Sequence, residues 1–356
     1  MNIKIDAFAM ATVCFVLSTA GCQVEALFIY NEQFGRAERP KRAWNSLSYE
    51  DIAGTYPRET VQFSSGGNTL TGYRYGVGNN TKGLVVIAHG LGGNSDDYLF
   101  FTKHFVDADL QVFTYDCTGT AESEGVGTLG LYQSALDLNS ALAYIERTDS
   151  FGTLPIFLVG HSWGGYAVAA VLNNEHPRVK AVVSFSGYND GMEMLSEAGV
   201  SLVGNAYYFL YPQLWAIQKA LFGDAMNKTA VDGINKSDLP VMVVHGKDDD
   251  TVSASKTSIY AHRGEITNPH VEIVYKDGDY GTGHVNVFYS RERQDYADQC
   301  KSALESFLAD KSWSSDDELN DLKVQWAEEY GLDKFRFYEL DSALMTQIND
   351  MFNAAR

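Results

Sequence analysis

Residues 155–168 read PIFLVGHSWGGYAV: an apolar run of strand-forming residues, a serine set among glycines, and the opening of a small-residue segment. The run passes from strand to helix periodicity with only glycine as punctuation, which predicts a sharp strand-to-helix turn with Ser162 at its apex. Gly160 and Gly164 stand two residues before and two after it, where a larger side chain would clash in such a turn. The helix that follows directs the positive end of its dipole toward the serine oxygen and favours negative charge developing there. A Ser-Gly turn alone occurs in any fold, so the meaning of Ser162 depends on what the rest of the chain brings to it.

Seven further runs have strand character: ETVQFSS (59–65), LTGYRYGV (70–77), GLVVIAHG (83–90), QVFTYD (111–116), KAVVSFSG (180–187), PVMVVHG (240–246) and VEIVYK (271–276). The first two alternate apolar and polar residues, as strands with one wet face do. The later ones are continuously apolar, as parallel strands covered on both faces are. Leu131, Ala135, Leu138, Leu142 and Ile145 recur at helical spacing and predict a crossover helix. The expectation is a doubly wound α/β fold with a mostly parallel sheet of about eight strands and an antiparallel lead-in. Residues 188–239 exceed an ordinary connection and carry Tyr207, Tyr208 and Trp215, which predicts a helical cap insertion whose aromatic residues line a substrate pocket or simply pack the insertion on the core. The division expected is residues 1–25 as a signal or N-terminal helix, 26–310 as the α/β domain with its cap, and 311–356 as an acidic helical extension.

A serine hydroxyl needs a base, and the base needs an orienting carboxylate. Of eight histidines, His284 sits in the glycine-rich loop DGDYGTGHVNV after the last strand, where a side chain can reach over the carboxyl edge of the sheet. His262 and His270 are the alternatives; His89, His104, His161, His176 and His245 have structural readings at turns, helices or strand ends. The run HGKDDDTV supplies three consecutive aspartates after the preceding strand, of which Asp249 is placed to turn inward, with Asp248 and Asp250 as solvated charges or caps of a following helix. The loop AHGLGGNS offers backbone donors for a developing oxyanion, Leu91 N–H with Trp163 N–H, while Gly90 and Gly92 shape the turn.

A formal charge of -19 opposes binding to phosphate backbones, so nucleic acid is not an expected partner. The run from Ala7 to Leu17 with small residues up to Cys22 fits an export signal, cleaved after Ala20 or lipidated at Cys22, which would associate the chain with a membrane; it fits equally an N-terminal helix packed on the domain. Cys14, Cys22, Cys117 and Cys300 have no metal-ligand spacing, so no metal is expected, and Cys117 and Cys300 read as buried free thiols or as a disulfide pair.

HGLGG, YDCTGTAESEG, GHSWGG, HGKDDDTV and GTGHV, with the order Ser, Asp, His, resemble the α/β-hydrolase superfamily over about residues 59–310. Within it the chain is similar to monoacylglycerol-lipase-like and serine aminopeptidase-like bacterial enzymes. The stretches YNEQFGRAERP (30–40) and FYELDSALMTQINDMF (337–352) resemble a group of bacterial hydrolases. The resemblance implies Ser162 as nucleophile, Asp249 as orienting acid, His284 as general base, Leu91 and Trp163 as oxyanion donors, and no cofactor. It implies hydrolysis of a small-molecule ester through an acyl-enzyme, or peptidase or acyltransferase chemistry on the same residues; the aromatic cap points to an apolar acyl group.

Overall fold

The computed structural model describes residues 30–39 and 43–356. The expected leader, with Cys14 and Cys22, lies outside them. Eight strands form one sheet: β1 (Arg58–Ser65), β2 (Asn68–Tyr75), β3 (Leu84–Ala88), β4 (Gln111–Tyr115), β5 (Ile156–His161), β6 (Val179–Phe185), β7 (Val241–Gly246) and β8 (Val271–Lys276). Their spatial order is β1-β2-β4-β3-β5-β6-β7-β8. The β1–β2 and β2–β4 pairs are antiparallel and the others parallel. Gly66 and Gly67 join β1 to β2 with φ of 54° and 91°, a two-residue turn that closes directly on the Ser65–Asn68 pair.

The helices are α1 (Leu99–Asp107), α2 (Gln133–Arg147), α3 (Trp163–Ala170), α4 (Gly191–Val203), α5 (Tyr207–Phe222), α6 (Ala230–Lys236), α7 (Arg291–Leu308), α8 (Asp316–Tyr330) and α9 (Ser342–Ala354). The continuous apolar strands divide between two cores by their alternation. Leu84, Val86 and Ala88 of β3 face α2, α3 and α6, whereas Val85 and Ile87 face α1 and α9. Both faces of β3 are dry because both layers are present, whereas β8 at the edge is half-buried, with Glu272 and Tyr275 exposed.

Three expectations change in the structure. Leu131 is buried but precedes α2, since the chain turns there before the helix begins. The cap is shorter than residues 188–239: α4 and α5 rise away from the sheet, but α6 buries Ala230, Val231 and Ile234 in the core against α3. The C-terminal extension is not all peripheral, because α9 inserts Leu344, Met345, Ile348 and Phe352 into the second core, and the Phe352 ring stacks on Phe157 at 4.4 Å between centroids. Helices α7 and α8 instead make a satellite cluster around Tyr296, Cys300 and Trp326. Cys117 and Cys300 are both buried free thiols. Among the described residues, no helix is long and apolar enough to cross a membrane.

The order of the strands decides where chemistry can occur. From β3 the chain runs to β4 on one side, and from β4 it crosses to β5 on the other, so the loops leaving β3 and β5 diverge and open a crevice at the carboxyl edge. The loop Gly90–Asn94 and the turn at Ser162 flank that crevice.

Candidate active site

Ser162 occupies the apex between β5 and α3 with φ 57° and ψ −114°, a region a non-glycine residue enters at a cost of about 1–3 kcal/mol. Its amide donates to Phe185 O of β6 at 2.9 Å, which anchors the turn. The two flanking glycines make the turn sterically feasible: a Cβ on Gly160 would lie 2.1 Å from Gly164 O, and one on Gly164 would lie 2.0 Å from Ala88 O. Helix α3, buried along its whole length, begins directly behind the serine.

Three of the predicted side chains meet here from loops far apart in the chain. Ser162 Oγ lies 2.9 Å from His284 Nε2, and His284 Nδ1 lies 2.9 Å from both oxygens of Asp249. Asp249 Oδ1 also accepts the amides of Val252 at 2.8 Å and Thr251 at 3.1 Å. Burial alone would raise the Asp249 carboxyl, but His284, the Val252 amide and His245 outweigh it and hold the group below the usual carboxylate range. The neighbouring aspartates point elsewhere; both are exposed, and turns follow them where a capped helix was expected. His262 pairs with Glu193 and Glu265, at a distance from this cluster in the hydrogen-bond pattern, and His270 lies in an exposed turn.

The predicted oxyanion loop lies beside the serine, since a Cβ on Gly90 would stand 3.5 Å from Ser162 Cβ. Gly92 takes φ 75°. His89 holds the loop from below: its Nδ1–H donates to Gly90 O at 2.8 Å while its Nε2 accepts the Cys117 amide at 2.9 Å. Among the described residues, no carbonyl takes the amide hydrogens of Leu91 or Trp163. Both donors are therefore free for an incoming oxygen.

Two histidines read as structural belong to the surroundings of the triad. The Gly90 amide donates to Tyr98 Oη at 3.0 Å, the Tyr98 hydroxyl donates to His161 Nδ1 at 2.8 Å, and His161 Nε2–H donates to His284 O at 2.9 Å. The Gly90 loop, the Ser162 turn and His284 are thus tied by one chain of hydrogen bonds. Burial, with the adjacent His284, pushes His161 down to about 3, so its ring is neutral in this role. His245 donates to Val252 O at 3.0 Å and stands 3.5 Å from Asp249, steadying the turn that carries the acid. Tyr98 carries no sequence signal of this link, because its partner lies 63 residues away.

A cavity of about 1240 Å³ opens under the cap, bounded by Leu91 of the loop beside Ser162, by Asp250, the residue after Asp249, and by Met192, Leu195, Tyr207, Tyr208, Leu210, Tyr211 and Leu214 of α4 and α5. Tyr207 and Tyr208 line this cavity, whereas Trp215, 46% exposed, is not among its lining residues. Tyr30, Gln33 and Phe34, from the segment before β1, complete the wall. A second cavity, of about 620 Å³, lies between α1 and the C-terminal segment, lined by Phe100, His104, Tyr338 and Met345 among others. Among the described residues, no group of His, Cys, Asp and Glu is arranged to hold a metal ion.

The chain's sequence matches the serine aminopeptidase S33 family over residues 79–220. It is 24% identical to the Salmonella typhi protein YfhR over 296 residues, 76% of this chain and 91% of that one. Human monoglyceride lipase matches over 139 residues at 27% identity, 39% of this chain and 43% of the lipase. Among solved structures, the Pyrococcus furiosus esterase Pf2001 superposes with a TM-score of 0.53 at 17% identity, covering 78% of this chain and 98% of the esterase. Acetyl xylan esterase 1 from Thermoanaerobacterium sp. JW/SL YS485 gives 0.50 at 18% identity, covering 79% and 92%. The shared architecture is that of the α/β-hydrolases.

Proposed function

We propose that this α/β-hydrolase cleaves carboxylic esters of apolar acyl groups through an acyl-enzyme formed on Ser162. The observation that carries the reading is the unbroken Ser162–His284–Asp249 hydrogen-bond chain at the head of α3, beside an aromatic cavity. In this mechanism Ser162 Oγ attacks the ester carbonyl carbon while His284 Nε2 takes its proton. The carbonyl oxygen, now an anion, is received by the Leu91 and Trp163 amides, and Asp249 stabilises the imidazolium. Collapse breaks the bond to the alcohol, which leaves with the proton from His284. Water, deprotonated in turn by His284, releases the carboxylic acid and restores the serine hydroxyl.

The test is turnover of p-nitrophenyl esters from acetyl to palmitoyl by the full chain and its Ser162→Ala variant. We expect a loss of at least about 10⁴-fold in kcat in the variant. Equal activity in the two proteins would refute the assignment of Ser162. A second reading, an aminopeptidase-type amide hydrolase, draws on the cavity's acidic residues: Asp190, Glu193, Glu197 and Asp250 border it against Lys256 as the one basic lining residue among the described residues, which suits a cationic amine. Aminoacyl p-nitroanilides run beside the esters separate the two, the favoured reading requiring the higher kcat/KM on esters.

A further inference from the structure

The segment YNEQFGRAER, residues 30–39, precedes the sheet in sequence yet lies across the carboxyl edge. It is stitched down along its length. Ala37 bridges Thr120 and Gly35 bridges Gly127, and the Thr128 amide donates to Phe34 O at 2.9 Å. The Arg36 guanidinium donates to the carbonyls of Ser123, Gly125 and Ala121 at 2.8, 3.2 and 2.5 Å. Arg39 reaches Asn94 Oδ1 at 3.0 Å and Asp96 Oδ2 at 2.5 Å, just past the oxyanion loop. These contacts fasten one end of the segment to the loop of residues 120–128 and to Asn94 and Asp96.

The other end holds the cap. The Tyr30 hydroxyl donates to Leu129 O of the core and accepts from Gln218 Nε2 of α5 at 2.5 Å. Tyr30 and Gln218 are 5% and 1% exposed, so breaking the bond strands polar atoms away from water. The fit is close, since a Cβ on Gly130 would stand 2.3 Å from the Tyr30 hydroxyl oxygen. Tyr30 and Phe34, 4.7 Å apart between ring centroids, also form cavity wall.

We infer that Tyr30, Gln33 and Phe34, at the head of the anchored segment 30–39, form a wall that sets which acyl groups the cavity accepts, with Tyr30 as the positioning residue that latches α5 over it. The inference rests on the ester-hydrolase reading and names the element that would give that site its selectivity. A ring pinned between core and cap gives a cavity of defined shape; without the latch α5 is free to shift, and the chain-length preference flattens.

The experiment labels Ser162 in the full chain with alkyl fluorophosphonates from ethyl to dodecyl and compares rates across the series for wild type, Tyr30→Phe, Tyr30→Ala and Gln218→Leu. Ester turnover and thermal unfolding are measured alongside. Tyr30→Phe keeps the ring and removes the hydroxyl; Gln218→Leu removes the same bond from the other side. Both are expected to reduce the ratio of best to worst chain length about threefold or more, roughly the effect of one net hydrogen bond. Tyr30→Ala, which also opens the wall, is expected to flatten the profile further and favour the longer chains. Unchanged profiles in variants of lowered stability would make the latch merely structural and overturn the inference, as would a flat wild-type profile. Labelling without ester turnover would sink the ester reading alone, because the phosphonate profile still reports the wall. No labelling of the wild type would overturn both.

Discussion

Replacing His161 with glutamine should remove a specific acid sensitivity from the fold. His161 is buried, neutral and hydrogen-bonded on both nitrogens, with its pKa pushed down to about 3 from an ordinary 6.5. Between those values the unfolded chain binds a proton that the folded chain refuses. The contribution of this residue is therefore complete above pH 6.5 and is lost as the pH falls toward 3, with a slope near 1.4 kcal/mol per pH unit. From pH 7.5 to pH 5 the folded state loses about 2 kcal/mol through this residue alone. Glutamine keeps a donor and an acceptor and does not titrate. Urea unfolding of both proteins at pH 7.5 and pH 5 isolates the term, because the other titrating groups are common to both. Wild type should lose about 2 kcal/mol more than His161→Gln over that interval. An equal loss in both would refute the reasoning, and would mean that the buried ring accepts a proton as readily as the unfolded one.

Asp249→Asn keeps the shape of the acid but not its charge, and kcat on the best ester should fall about 10⁴-fold, read by steady-state kinetics beside an unchanged circular-dichroism spectrum. Gly164→Ala would place its methyl 2.0 Å from Ala88 O, so the turn must move; the variant should lose more than about 3 kcal/mol in urea unfolding or fail to accumulate as soluble protein. Phe352→Ala should cost about 3–5 kcal/mol because its ring is stacked in the core on Phe157, while Trp215→Ala at an exposed position of α5 should cost less than about 1 kcal/mol, both read by the same unfolding assay. Asp249 also predicts a stability limb in strong acid. Its folded pKa is below the ordinary carboxylate value, so its contribution holds above about pH 4 and fades as the pH falls through the folded value, a limb that Asp249→Asn should lack in acid titrations of unfolding.

The sheet was legible because its signals are local. Alternation in 59–65 against unbroken apolar runs in 83–90 and 155–160 reports whether one face or two is covered, and that depends only on neighbours in the chain. The serine turn was legible for the same reason: Gly160 and Gly164 answer clashes within a few residues of Ser162 and with the adjacent strand. His284 followed from its glycine-rich loop after the last strand.

Tertiary structure alone decided what depends on residues brought together from afar. The position of Asp249 before Val252 singles it out among three consecutive aspartates, but its bond to His284, 35 residues on, is made only when the folded chain brings the two loops together. The Tyr98–His161 and Tyr30–Gln218 bonds join positions 63 and 188 residues apart, leaving no periodicity to read. Burial of α6 against an expectation of cap, and the insertion of α9 into the second core, likewise depend on which sheet face remained uncovered. Local sterics and periodicity determine the strands and the nucleophile turn; the walls of the cavity and the partners of the triad are selected only when the folded sheet sets distant loops side by side.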